Sequence, residues 1–558
     1  MPRFIVSIFV LLCLISCSQS FVEKKPHQAA IATAHPLATQ AGFNILEQGG
    51  NAFDAAVAIT AALAVVEPAG SGLGGGGFWL LHRASDQKQI MIDGRETAPS
   101  AAHRDMYLDQ HGQHNKKASL DGPLAAGIPG VPAALDHISQ HYGHLTLKQA
   151  LSPAIAYAKQ GFKVTPHYQK LVSFRLQALN NSPAAKRIFL QDGTPPQTDT
   201  LIKQADLALT LEKIAAKGAT GFYQGTVAQL LVDGAGEAGG IWTLEDLANY
   251  QIKERNTVKT HYQDYQITSA ALPSSGGIVL GTILNQLELF DLSDYDINQQ
   301  RHLITETMRR AYFDRSRYLG DSDFITVPEH LTAKSYAKTL ASTIDKIKAT
   351  SNETLHTSTS KGEDTTHFSV LDQYGNRVSA TLSINYPFGS AFVVPGTGVL
   401  LNDEMDDFSA QIGAANVYGL IGNEANAIAA NKRPLSSMTP TFIENEDHLM
   451  IIGTPGGSRI ITMVLLAILD FIEGKNAQEI VSSPRFHHQY LPNEVQLEST
   501  GFSEQEKMAF RHFGHSIKVL DRQYGNMQII IYDKRTRQLD AASDPRGEGL
   551  ATIQNIKR

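Results

Sequence analysis

Apolar positions first recur at helical spacing near the start of the chain. Residues 29–66 read as helices: LATQAGFNILEQGG and then NAFDAAVAITAALAVV, broken at Gly49-Gly50, with Asn51 placed to cap the second. A glycine-rich loop at 68–77 follows, and FWLLHR with KQIMID form a strand hairpin. SPAIAYAKQ, TLEDLANY, GIVLGTILNQLELF and HLITETMRRAYFDRSRYL return to the helical period. Residues 342–364 are polar, rich in Ser, Thr and Lys, and lack an apolar period, so they read as an exposed, mobile linker. Beyond them FSVLD, RVSATLSI, GVLLN, LMIIGT and QIIIYD are strand-like, with one further helix, ITMVLLAILDFI. The pattern predicts a mixed α/β protein in which a linker enters a sheet midway along the chain, without repeats or heptads.

The first twenty residues, MPRFIVSIFVLLCLISCSQS, depart from this pattern. Arg3 precedes an apolar run from Phe4 to Ile15 that is short for a permanent membrane helix, which reads as an export signal. Leu14-Ile15-Ser16-Cys17 resembles the lipobox of bacterial lipoproteins, so residues 1–16 are expected to be a signal peptide and Cys17 the lipid-bearing first residue of a periplasmic envelope protein. The alternative is an ordinary cleaved signal. Both cysteines, Cys13 and Cys17, lie here, which excludes disulfides, cysteine nucleophiles and thiolate metal sites from the rest of the chain. The 558 residues are 42% hydrophobic and 18% charged with a net charge of -7, so nucleic acid is not an expected partner.

The segment DTTHFSV opens the strand that the linker enters. If Gln373-Tyr374-Gly375 is a three-residue hairpin turn and Asp372 faces Asn376, Thr365 lies opposite Ser383. A threonine at a chain's start can be a nucleophile, because its own α-amine, with a pKa near about 8, serves as the base. An internal threonine has no such amine, so the chain must be cut between Asp364 and Thr365. The Thr365 hydroxyl can make that cut by attacking the Asp364 carbonyl, and Ser383 can hold and polarise it.

DTTHFSV with Ser383-Ile384-Asn385 resembles the processing site of γ-glutamyltransferases (γ-glutamyltranspeptidases), which are self-cleaving N-terminal-nucleophile hydrolases. Further blocks along nearly the whole chain carry the resemblance: GGNAFDAAVA, EPAGSGLGGGGF, IDGRETAP, GIPGVP, NDEMDDFS, NVYGL, NKRPLSSMTPT, GTPGGSRI, PRFHHQ and SDPR. The resemblance implies a four-layer αββα sandwich built from two subunits after self-cleavage, a large one of residues 17–364 and a small one of residues 365–558. It implies that Thr365 takes the γ-glutamyl group of glutathione or a related donor as an ester. Water, an amino acid or a dipeptide then receives the group, with no cofactor or metal.

By the same resemblance Arg95 holds the donor's α-carboxylate through a planar fork, with Ser436 and Ser437 as neutral donors. Glu404, Asp407 and Asn385 take the α-ammonium, and Gly456 with Gly457 form the oxyanion hole. Residues 409–431 resemble the lid loop of some members, with Tyr418 as gate, which should favour compact donors over polymeric ones. Ser383 stands where many members have threonine, and Glu404 where some have glutamine.

Thr366 either bonds near the new amine or, preferably, packs as a strand residue. His367 is expected to be structural, and His487-His488 structural or on the surface. The run GSGLGGGGF satisfies G-x-G-x-x-G, yet a helix precedes it and a strand follows, so it reads as a close-packing loop rather than a nucleotide fingerprint. Two rival functions are a glutaryl or β-lactam side-chain acylase of the same superfamily and a non-catalytic lipoprotein that binds γ-glutamyl peptides. Asp407 with Glu404 speaks against the first, and Thr365 with Ser383 and the Gly456-Gly457 pair against the second.

Overall fold

The computed structural model describes residues 24–351, 365–411 and 413–556. The expected signal segment with Cys17, and Asp364 at the expected cut, lie outside the described residues.

Two antiparallel sheets carry the architecture. The first has seven strands in the order Leu550–Gln554, Ala29–Thr33, Thr366–Leu371, Arg377–Ser383, Gly76–Arg83, Lys88–Asp93 and Lys253–Arg255. The second has six, in the order Leu539–Ser543, Gln528–Asp533, His448–Gly453, Thr441–Glu444, Tyr265–Ser269 and Val258–Tyr262. Alternation along each strand sends one set of side chains between the sheets and the other toward helices. Ala30, Ala32 and Leu371 of the first sheet thus meet Phe442, Ile451 and Ile530 of the second. Phe368, Val370 and Val378 point the other way, into a core shared with the helices Pro36–Glu47, Ala52–Val66 and Leu147–Gln160. On the far side Ile443, Ile452 and Ile529 pack with the helices Gly276–Leu287, Ile297–Tyr318 and Ile460–Ile472. The result is the expected four-layer αββα sandwich.

Three local expectations are corrected. Ala29–Thr33 is a strand, not helix: its alanines favour helix in isolation, but here they sit in the middle of a sheet that is covered on both faces, where a fully buried run carries no alternation. GVLLN makes no regular strand, since Leu400 and Leu401 form only isolated bridges, to Val393 and Gly74. The start of the supposed mobile linker is held, because Arg310 donates to the Thr343 carbonyl at 2.8 Å and the Thr350 hydroxyl to Glu306 at 2.5 Å. That tie comes from a helix distant in sequence, which local composition does not reveal.

The central hairpin has the register expected from its turn, with Leu371 opposite Arg377 and Thr366 opposite Leu382. Gly375 has φ +88°, a left-handed value that suits glycine, and the Asp372 carboxylate accepts from the backbone of Tyr374 and Asn376. Its other oxygen accepts from Ala52 N at 2.9 Å, so one side chain closes the turn and braces the start of the helix Ala52–Val66.

Candidate active site

The hairpin's open end delivers Thr365 and Ser383 to one cleft. Arg95, Asn385, Asp407, Tyr418, Ser436, Ser437 and Gly457 line the same cleft, together with Leu420, Met438, Ser458 and Ile460. Glu404 stands directly behind Arg95, and Gly456 precedes Gly457 in the adjoining loop. Residues spread over more than 360 positions of sequence therefore converge because a strand end, a sheet-to-helix loop and a short 3-10 turn meet there.

One further step of the hairpin ladder beyond Thr366 and Leu382 sets Thr365 opposite Ser383. Thr365 is only 7% exposed. The Ser383 hydroxyl accepts from Asn385 N at 2.8 Å and opposes the rise of the Glu404 carboxyl. Asn385 adopts φ +73° and is held by its side-chain amide, which donates to the Asp403 carbonyl at 3.0 Å. The glycine-rich loop contributes by close approach: a Cβ on Gly75 would lie 2.2 Å from the Ser383 carbonyl oxygen. This is the close-packing role expected for that loop.

Gly456 and Gly457 leave the strand His448–Gly453 with φ +144° and +56° before the helix Ile460–Ile472 begins. A side chain at 457 would also meet the Tyr418 ring at 2.4 Å. Backbone N–H groups on such a bare turn can approach a developing oxyanion. Tyr418 closes over them, its hydroxyl donating to the Asn385 carbonyl at 2.5 Å. The segment behind it is pinned by Val417 N, which donates to the Asp406 carboxylate at 2.8 Å.

Charge is concentrated around Arg95, which is 1% exposed. It donates to Glu404, to Asp407 at 2.6 Å and to the Pro434 carbonyl at 3.2 Å, while Glu96 lies 3.5 Å away. Burial alone would make this guanidinium easier to deprotonate, but the carboxylates of Glu404, Asp407 and Glu96 outweigh it and keep it charged. Glu404 is pushed up to about 7 by burial, with Arg95 and Ser383 opposing and Asp407 adding to the shift. Glu96 is raised well above its ordinary value by burial and by Glu404, and among the described residues neither of its carboxyl oxygens has a hydrogen-bond partner.

Sequence reading missed three residues here. Glu96 sits beside Arg95 in RETAP and was visible only as its neighbour. Asp406 accepts from Val417 N and from the Ser119 hydroxyl, each at 2.8 Å, and burial raises it to about 6. Arg315 donates to Ser437 at 3.0 Å from the helix Ile297–Tyr318, which sequence reading placed only as a helix.

The histidines serve the frame. His367 bonds Thr381 at 2.8 Å between the two sheets, and burial lowers it to about 3, so it is neutral at physiological pH. Gly453 exists to admit its ring, since a Cβ there would come within 2.2 Å of it. His487 bonds Thr462 and Gln489, each at 2.8 Å, and His488 bonds Asn493 at 3.3 Å; both are buried rather than on the surface. Thr366 is fully buried in its strand, and among the described residues its hydroxyl has no hydrogen-bond partner. Among the described residues no group of three His, Cys, Asp or Glu is arranged to hold a metal, and no helix is long and apolar enough to cross a membrane.

The chain is 42% identical over 535 residues to the glutathione hydrolase proenzyme of Escherichia coli (strain K12), covering 94% of this chain and 92% of the relative. In structure it resembles a cephalosporin acylase from Bacillus halodurans, with a TM-score of 0.84 and 27% identity, over 98% of this chain and 99% of the other. It also resembles the γ-glutamyltranspeptidase of Helicobacter pylori, with a TM-score of 0.55 and 42% identity, over 56% of this chain and 90% of that one. A model of the gamma-glutamyltranspeptidase family matches residues 38–553, and the chain belongs to that family.

Proposed function

We propose that the protein is a self-processing γ-glutamyltransferase and glutathione hydrolase whose nucleophile is Thr365. The observation that carries this reading is the meeting, in one cleft, of Thr365 with Ser383 and of Arg95 with a carboxylate pair. In the maturing chain the Thr365 hydroxyl attacks the Asp364 carbonyl and the peptide C–N bond breaks. Water then hydrolyses the resulting ester, leaving Asp364 as a carboxylate and Thr365 with a free α-amine. The two products are the large subunit, residues 17–364, and the small one, residues 365–558.

In turnover that amine takes the Thr365 hydroxyl proton as the oxygen attacks the γ-carbonyl. Gly456 and Gly457 N–H groups receive the oxyanion, and the proton passes to the leaving amine. The γ-glutamyl ester is then taken by water, an amino acid or a dipeptide. Arg95, Ser436 and Ser437 hold the donor's carboxylate, and Asp407, Glu404 and Asn385 its ammonium. Tyr418 and the loop behind it close the cleft, which suits compact donors. Export and lipid attachment at Cys17 rest on the N-terminal segment alone, and mass spectrometry of the mature N-terminus reads them directly.

An acylase for glutaryl side chains is the second reading, favoured by the near-complete match to the Bacillus halodurans structure. A glutaryl group has no ammonium to set against Asp407 and Glu404. Incubation of the purified protein with glutathione should therefore yield glutamate and cysteinylglycine, and γ-glutamyl-dipeptide when a dipeptide is present. Faster release from a glutaryl amide than from the matching γ-glutamyl amide would overturn the first reading in favour of the second.

Glu404 makes donor binding depend on pH. Below about 7 its carboxyl is largely neutral and above it an anion. Affinity for glutamate as a competing product should rise as pH increases from 6 to 8, because its ammonium persists across that range. Glu404→Gln should flatten this dependence; an unchanged slope in that variant assigns the titration to another group.

A further inference from the structure

Arg315 reaches the donor cleft from behind. It projects from the helix Ile297–Tyr318, is 6% exposed, and donates to Ser275 Oγ at 2.9 Å and to Ser437 Oγ at 3.0 Å. Ser275 in turn donates from its hydroxyl to the Ser436 carbonyl at 2.7 Å and from its N–H to the same oxygen at 2.8 Å. One guanidinium therefore braces both serines of the cleft wall. It forms no ion pair among the described residues, and Asp407 acts on it only from a distance.

Two consequences follow from the chemistry. A guanidinium only donates, so a hydroxyl that accepts from it keeps its own proton to give away. Among the described residues no acceptor takes the Ser437 proton, and Ser437 lines the cleft. Arg95, by contrast, is already shared by Glu404 and Asp407 with Glu96 close by, and a carboxylate arriving beside it meets those acids as well. A buried cation without a counter-charge is costly, and an anionic ligand nearby relieves that cost. Arg315 also lines a second cavity, which shares Asp407 and Leu420 with the cleft.

We propose that Arg315 determines preference for donors bearing an α-carboxylate, by fixing the Ser437 hydroxyl as a donor toward that group and adding the positive charge that Arg95 shares out among acids. It is a positioning residue, acting through Ser437. The inference rests on the γ-glutamyl reading of the cleft.

The test compares two anilides, γ-glutamyl and 4-aminobutyryl, which differ only by the α-carboxylate. In Arg315→Met the ratio of their kcat/KM values should fall by about tenfold or more, chiefly through a higher KM for the γ-glutamyl donor. Arg315→Lys keeps the charge but cannot hold both serines, and should recover part of the ratio. It also supplies the comparison with wild type if Arg315→Met does not fold. Equal losses on both anilides, with the ratio unchanged, overturn the inference and leave Arg315 a structural brace. Failure of the wild-type protein to release γ-glutamyl anilide overturns the reading of the cleft itself, and the inference with it.

Discussion

Thr365→Ala should run on a denaturing gel as one uncut chain, where the wild-type protein resolves into two, the lighter holding roughly a third of the residues and beginning Thr-Thr-His. The variant should also lose release of glutamate from glutathione, by on the order of 10⁴-fold or more, as expected when a covalent nucleophile is removed. Both losses come from one oxygen, which is first the cutter of its own chain and then the acceptor of the acyl group. Thr365→Ser keeps the oxygen and should still cut, more slowly, since the methyl that restricts the side chain is gone. Thr365→Ala should fold normally, because only a hydroxyl and a methyl at the strand's mouth are lost. Two bands from Thr365→Ala would dismantle the mechanism.

Arg95→Met should be the most damaging change away from the nucleophile. Arg95 is the shared counter-ion of Glu404 and Asp407 and lies 3.5 Å from Glu96, and both glutamates are essentially fully buried. Removing one partner of a buried charge group typically costs about 3–5 kcal/mol. KM for a γ-glutamyl donor should rise by about a hundredfold or more, since a charged hydrogen-bonded pair is lost from a desolvated site.

The stability loss should also depend on pH in a definite direction. Glu404 already has a folded-state value of about 7 against an ordinary 4.5, so what it contributes to stability is fully present below 4.5 and is lost as pH rises through 7. Without Arg95 the carboxyls of Glu404 and Glu96 rise further, and the deficit relative to wild type should be larger at pH 8 than at pH 5. Adding Glu404→Gln to Arg95→Met should restore part of the stability at pH 8. Thermal unfolding of the single and double variants at both pH values measures this, and a deficit that does not change with pH would contradict the charge-cluster account.

The sequence alone was enough for the hairpin register, the Thr365 and Ser383 pairing it implies, the glycine-rich packing loop and the motifs that carry Thr365, Ser383, Arg95 and Asp407 to one cleft. These are set locally, by turn chemistry and by strand period, or are carried by short motifs. The four-layer architecture was legible through the resemblance those motifs bear, and not through hydrophobic periodicity, which mistook Ala29–Thr33 for helix. A strand buried on both faces carries no alternation, and its pairing partners, Thr366–Leu371 and Leu550–Gln554, lie hundreds of residues away.

Only the tertiary structure decided how charge is distributed. The sequence shows Arg95 and an acidic loop as separate features; folding puts Glu404 and Asp407 on the arginine itself and leaves Arg315 behind Ser437 without an ion pair among the described residues. Protonation and hydrogen-bond direction depend on desolvation and on what lies within a few ångströms, and neither is a property of neighbours along the chain.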